Sequence, residues 1–184
     1  MNGFPEFQPW PKIPRLSREI VITEKIDGTN AQVSVLDDGR VIAGSRTRWI
    51  TPQDDNFGFA KWVLAHEDEL REGLGVGSHF GEWWGSGIQR NYGMDKKVFS
   101  LFNTFRWGSG NKPECCEVVP ILFKGMFDSA SINSALEVLR LTGSVASPGF
   151  KKPEGIVIYH HASGQMFKKT LEKDDVPKGS KEIA

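Results

Sequence analysis

Hydrophobic and polar residues change their spacing several times along the chain, and each change marks an element. Glu19 to Lys25 (EIVITEK) is rich in β-branched residues and is bounded by a turn at Asp27-Gly28, which predicts a strand ending where IDGTN begins. In AQVSVLDDGRVIAGSRTR apolar and polar positions alternate around Asp38-Gly39, a strong short-range hairpin signal. From Asn56 to Leu70 the period lengthens: Phe59, Trp62, Val63, His66 and Leu70 recur at three- and four-residue spacing, predicting one amphipathic helix stopped near Gly73. After a GLGVG loop, SHFGEWW and KVFSLFNTF predict two strands separated by the connection GSGIQRNYGMDK. CEVVPILFKGMF predicts a further strand, at an edge or with a bulge because of Pro120. Asp128 or Ser129 is placed to cap a second helix whose Ile132, Ala135, Leu136 and Leu139 share a face, ending at Gly143. GIVIYHHASGQMFKKT predicts a last hairpin turning at Ser163-Gly164.

Both ends read differently. Residues 1–18 contain Pro5, Pro9, Pro11 and Pro14 and predict an extended lead-in that packs Phe4, Phe7 and Trp10 on the domain. Residues 172–184 form a charged tail. Hairpins interleaved with two helices predict an α+β fold, antiparallel sheets with flanking helices.

The 184 residues fit one domain, 1–184, able to bury roughly 70% of its unfolded surface without covalent staples. There is no internal repeat. Adjacent Cys115 and Cys116 offer neither a disulfide framework nor a paired zinc-ligand motif, and are expected to be a packed pair in a reducing, cytoplasmic setting. No apolar run of about 18 residues exists and no signal pattern opens the chain, so no membrane association is expected. The 23 basic and 23 acidic side chains balance, so any nucleic-acid contact is expected to be local.

The candidate chemistry begins at Thr23-Glu24-Lys25-Ile26-Asp27-Gly28-Thr29-Asn30. A lysine held at the end of an apolar strand and partly desolvated has its neutral, nucleophilic amine favoured. Gly28 permits close approach, and Thr29 and Asn30 offer hydrogen bonds beyond it. Taken alone, this segment reads equally well as a solvated lysine beside a plain turn. Glu154-Gly155 precedes the strand IVIY, and the return strand carries Lys168 and Lys169; alternation puts Met166, Lys168 and Thr170 on one face and Lys169 on the other. Both lysines also read as ordinary edge-strand cations. Glu82, inside an aromatic strand, needs a partner: a ligand hydroxyl, a metal, or Arg46 or Arg48. Phe99 and Phe102 read as core, or one of them as a stacking platform for a base. Trp83 and Trp84 read as core and rim residues that also wall a pocket. His160-His161 is not a metal pair, because adjacent strand residues point to opposite faces.

In order, TEKIDGTN, SRTRW, FGEWWG, VFSLFNTF, EGIVIYH and MFKK resemble the successive motifs of the covalent nucleotidyltransferase superfamily, most closely its RNA-ligase family. A lone Lys-x-Asp-Gly is a weak signal; the order of all six elements, spanning about Val21 to Lys169, is a specific one. DNA ligases usually place an arginine after this motif, whereas Thr29-Asn30 looks like the RNA-ligase variant, and GTP-using capping enzymes share the same core.

The resemblance implies an adenylyltransferase domain of the ATP-grasp-like ligase type, with ATP and Mg2+ or Mn2+ as cofactors. Lys25 matches the nucleophile that forms lysyl-AMP, and its neighbours Glu24 and Ile26 fall within the nucleotide site. Arg46 matches the arginine supporting the nucleotide and the 5′-phosphate end, Glu82 the glutamate that holds the ribose, and Phe102, with Phe99 as second choice, the aromatic on adenine. Glu154 matches the carboxylate tied to the metal and to lysine reactivity, Lys168 the lysine on the α-phosphate, and Asn30 the asparagine that helps later sealing. The implied partner is a nucleic acid, RNA rather than DNA, with a 5′-phosphate end. Where the family often has a first lysine, this chain has Met166, and it ends soon after that motif. A C-terminal accessory domain is therefore expected to be absent or supplied by a partner protein, and adenylation is expected to be more secure than sealing. A viral or phage origin fits such a small ligase. The contrasting expectation is a nucleotide- or nucleic-acid-binding module that keeps the pocket without catalysis.

Overall fold

The chain's computed structural model describes residues 5–172 and 174. In chain order the elements are β1 (Glu19–Lys25), β2 (Thr29–Val35), β3 (Val41–Gly44), β4 (Trp49–Ile50), α1 (Phe59–Ala65), α2 (Glu67–Leu74), β5 (Gly77–Gly85), β6 (Lys97–Leu101), β7 (Cys116–Val118), β8 (Ile121–Met126), α3 (Ser129–Thr142), β9 (Gly155–His160) and β10 (Gln165–Thr170). They make two sheets, one ordered β10-β9-β1-β8 and the other β4-β3-β2-β5-β6-β7. The α+β fold with helices on the sheets is as the residue pattern predicts. Strand pairing is antiparallel except for β6 with β7, which run parallel.

Alternation along β1 sends Ile20 and Ile22 to one face, where they meet Ile156, Ile158 and the α3 residues Ala135, Leu136 and Leu139. Asp128 caps α3 by accepting the Ser131 amide at 2.8 Å, and Gly143 ends it. On the second sheet Ala31, Val33, Trp83, Phe99 and Leu101 bury themselves under Phe59, Val63, Leu70 and Leu74 of the first two helices. A smaller cluster of Ile26, Trp84, Tyr92 and Val119, joined by Phe150, packs separately.

Three expectations need correction. The single helix is two: His66, at φ −117 and ψ 21, leaves helical geometry, and α2 restarts with Glu67, Asp68 and Glu69 in its first turn, where acidic side chains favour the helix dipole. The second helix also runs past Gly73 to Leu74, and Gly73 is explained by packing, since a Cβ there would lie 2.8 Å from Pro113. The strand drawn through Pro120 is two strands in different sheets, β7 and β8; proline lacks the N–H a continuous ladder needs, and its carbonyl accepts the Glu24 amide at 3.0 Å. The lead-in does not pack its aromatics: Phe7 and Trp10 are each 84% exposed, while Phe4 lies outside the described residues, as does most of the 172–184 tail.

Candidate active site

β1 belongs to one sheet and β2 to the other, and only Ile26, Asp27 and Gly28 connect them. Gly28 is pressed against β5, where a Cβ would sit 2.4 Å from the Trp83 carbonyl oxygen and 2.7 Å from Trp84 Cβ. Only glycine fits there. Lys25, the last residue of β1, is therefore held at a junction rather than on a free strand end.

The Lys25 ammonium donates to Glu154 Oε2 at 2.6 Å, with the two side chains 23% and 8% exposed. Strand register explains the meeting, since Lys25 pairs with Gly155 and Glu154 immediately precedes it. Glu82 approaches from the second sheet, opposite Asn30 in β2 and Ser100 in β6. Its carboxylate accepts from the Gly28 amide at 2.9 Å and from Asn30 Nδ2 at 3.4 Å. Burial pushes Glu82 up to about 7; the Gly28 N–H and the Lys25 charge oppose that rise, and Glu154 and Asp27 add to it. The arginine partners do not materialise: Arg48 pairs with Asp54, and Arg46 lies exposed in the β3–β4 turn.

Lys168 pairs in register with Val157, itself opposite Thr23, so it stands one row from Lys25 on the same sheet face. Lys169 takes the other face and donates to Asn133 of α3 at 3.1 Å. Met166 is exposed and pairs with Tyr159. Phe99 is fully buried among the core aromatics, whereas Phe102, just past β6, is 38% exposed. Lys25, Glu154, Glu82, Asn30 and, one row away, Lys168 thus gather around the sheet junction.

Other expected residues do not reach it with their side chains. Glu24 turns away: its carboxylate is fully buried and accepts from Ser144 Oγ at 2.6 Å and from the amides of Val145 and Ala146 at 2.8 and 2.9 Å. Ile26 packs in the junction cluster. Trp83 and Trp84 are each 2% exposed and pack in different clusters, Trp83 under the first two helices and Trp84 with Ile26 and Tyr92. His160 bonds the Leu16 carbonyl at 2.8 Å, whereas His161 Nε2 lies 3.3 Å from the Glu19 carboxylate.

Sequence reading gave no role to Asp27, Arg90 and Tyr92. The Asp27 amide donates to the Tyr92 hydroxyl at 2.9 Å, and Arg90 Nε donates to Asp27 Oδ2 at 3.0 Å. The signal available was a glycine-rich connection carrying one arginine and one tyrosine, which is no more than a loop until its fold is known.

The RNA ligase family matches the chain over residues 18–170, a span containing every side chain of this cluster. The chain belongs to the RNA ligase family. Solved structures of mutant Naegleria gruberi RNA ligase share the fold: an apo form at 20% identity and TM-score 0.59, covering 91% of this chain and 57% of that one. A form with AMP and Mn gives 18% identity, TM-score 0.59 and the same coverages. A form with ATP and Mn gives 19% identity and TM-score 0.58, covering 84% of this chain and 50% of that one. This RNA ligase family chain therefore spans only about half the length of the Naegleria enzyme. No curated protein matches its sequence.

Proposed function

We propose that the protein is an ATP-dependent RNA ligase that works through a lysyl-AMP intermediate. The observation that carries the reading is the Lys25 ammonium held 2.6 Å from Glu154 at the junction of the two sheets. The family match over residues 18–170 supports it, as do ATP, AMP and Mn in the Naegleria ligase structures.

In the first step the Lys25 amine, having given its proton toward Glu154, attacks the α-phosphorus of ATP. A P–N bond forms, the bond from the α-phosphorus to the bridging oxygen breaks, and pyrophosphate leaves with the electron pair. In the second step a 5′-phosphate oxygen attacks the same phosphorus; the P–N bond breaks and Lys25 recovers a proton. A 3′-hydroxyl then attacks the activated end, a phosphodiester forms and AMP leaves. Such transfers are catalysed mainly by positioning and by cations facing the developing charge.

In this scheme Glu82 accepts from the ribose hydroxyls, Phe102 stacks on the adenine, Lys168 and Arg46 face phosphate oxygens, and Asn30 assists sealing. Glu24 and Ile26 contribute through their main chain, because their side chains are committed elsewhere. Among the described residues no group of three or more His, Cys, Asp or Glu side chains is arranged to hold a metal. Glu154 is the carboxylate that would hold Mg2+ or Mn2+, hard cations that take oxygen ligands. When bound, the ion neutralises charge on the α-phosphate and the leaving pyrophosphate.

Intact mass after incubation with ATP and Mg2+ or Mn2+ tests the reading. The wild type is expected to gain one AMP and Lys25→Ala none. Saturable ATP binding with no adduct, with GTP and NAD also tried, would overturn it in favour of a binding module, for which exposed Met166 beside the Lys168 row is the favouring observation.

A further inference from the structure

The segment carrying the nucleophile is tied on both sides to the connection between β5 and β6. Arg90 is the central tie: its Nε donates to Asp27, two residues after Lys25, and its Nη1 donates at 3.0 Å to the carbonyl of Lys152, two residues before Glu154. One guanidinium thus joins the segment bearing the nucleophile to the segment bearing its carboxylate partner. A planar, always charged fork with several donors suits this double attachment, which a lysine ammonium on a flexible stem does not reproduce.

Tyr92 supplies a second tie. Its hydroxyl accepts the Asp27 amide, and burial pushes that hydroxyl's titration well above its ordinary range, so it stays neutral. The ring packs 4.6 Å from Phe150 and 5.1 Å from Trp84 between centroids. The Tyr92 carbonyl in turn accepts from Ser147 Oγ at 2.8 Å, and the Ser147 amide donates to Ser144 Oγ at 2.9 Å. Ser144 Oγ donates to Glu24, the residue before the nucleophile. The chain of contacts from Glu24 through Ser144, Ser147 and Tyr92 to Asp27 therefore closes around Lys25.

The supporting loop is strained. Gln89, Asn91 and Tyr92 have φ of 44°, 59° and 50°, a left-handed region that non-glycine side chains disfavour. Such conformations persist where the surroundings over-determine them, and here the Gly87 amide bonded to Asn91 Oδ1 at 2.7 Å, the buried tyrosine ring and the two ties to Asp27 do so.

We propose that Arg90 and Tyr92 are positioning residues that hold the Lys25 amine and Glu154 in register for attack on the α-phosphorus. This rests on the lysyl-AMP reading. The test is single-turnover self-adenylation followed by intact mass, giving a rate constant, a final adduct fraction and the half-saturating ATP concentration for wild type, Tyr92→Phe, Arg90→Gln and Arg90→Lys. Displacement of the amine lowers the rate constant by about tenfold or more in Tyr92→Phe and Arg90→Gln, with half-saturation changed by less than about twofold. Arg90→Lys recovers only part of the loss. Rate constants within about twofold of wild type, or a loss confined to the final adduct fraction as misfolding would give, overturn the positioning role. A silent wild type overturns the lysyl-AMP reading and this role with it, and it is seen before any variant is made.

Discussion

Glu82 combines two properties that pull in opposite directions. Its carboxylate accepts from Gly28 and Asn30, yet burial raises its titration from 4.5 to about 7. A folded-state value above the unfolded one means that the native protein binds more protons between those limits, so stability from this group is full below about pH 4.5 and is lost as pH rises through 7. The loss is on the order of 3 kcal/mol, from 1.36 kcal/mol per pH unit. Denaturant unfolding of wild type and Glu82→Gln from pH 4.5 to 8 isolates the contribution of Glu82, because the other titrating groups are shared. The wild-type curve is expected to fall relative to the variant across this window. Parallel curves would show that Glu82 titrates at its ordinary position.

At the scale of elements, the join between β1 and β2 couples fold to chemistry. A methyl group at Gly28 meets the β5 backbone and breaks the amide contact to Glu82. Gly28→Ala is expected to destabilise by about 1–3 kcal/mol, the usual cost of overpacking. It is also expected to slow adenylation by about 100-fold through displacement of Lys25. Denaturant melts and adduct kinetics on the same sample read both, and a wild-type rate in a destabilised variant would separate the turn from the chemistry. The elements legible in the sequence were those whose pattern is local: β1, the Asp38-Gly39 hairpin, α3 with its Asp128 cap, and the β9–β10 hairpin that puts Lys168 and Lys169 on opposite faces. What escaped depends on non-local pairing. Pro120 punctuates the chain, but only the sheets decide that β7 and β8 part company. His66 suits the helical period, and its break is visible only in the backbone. In the candidate site, Lys25, Glu82, Glu154 and Lys168 were singled out by type and order, and the fold brings them to the sheet junction. The commitment of Glu24 to the Ser144 loop and the ties from Arg90 and Tyr92 were not, because their partners lie between 62 and 122 residues away in sequence.

Across the whole molecule, charge sets how the proposed RNA end is held. Equal numbers of basic and acidic side chains leave no general positive field to draw a polyanion, so attraction is expected to be local. Binding of a single strand releases counterions in proportion to the phosphates neutralised, with a slope of about −0.7 per phosphate in a plot of log affinity against log salt. A footprint of about three phosphates gives a slope of about −2, much shallower than that of a protein that coats nucleic acid. Titrating 5′-phosphorylated RNA against Lys25→Ala, which is expected to form no adduct, measures the slope without turnover. A value near −2 supports a ligase that grips the reactive end alone. A slope of about −5 or steeper would require an extended basic path on this chain, which its charge balance opposes.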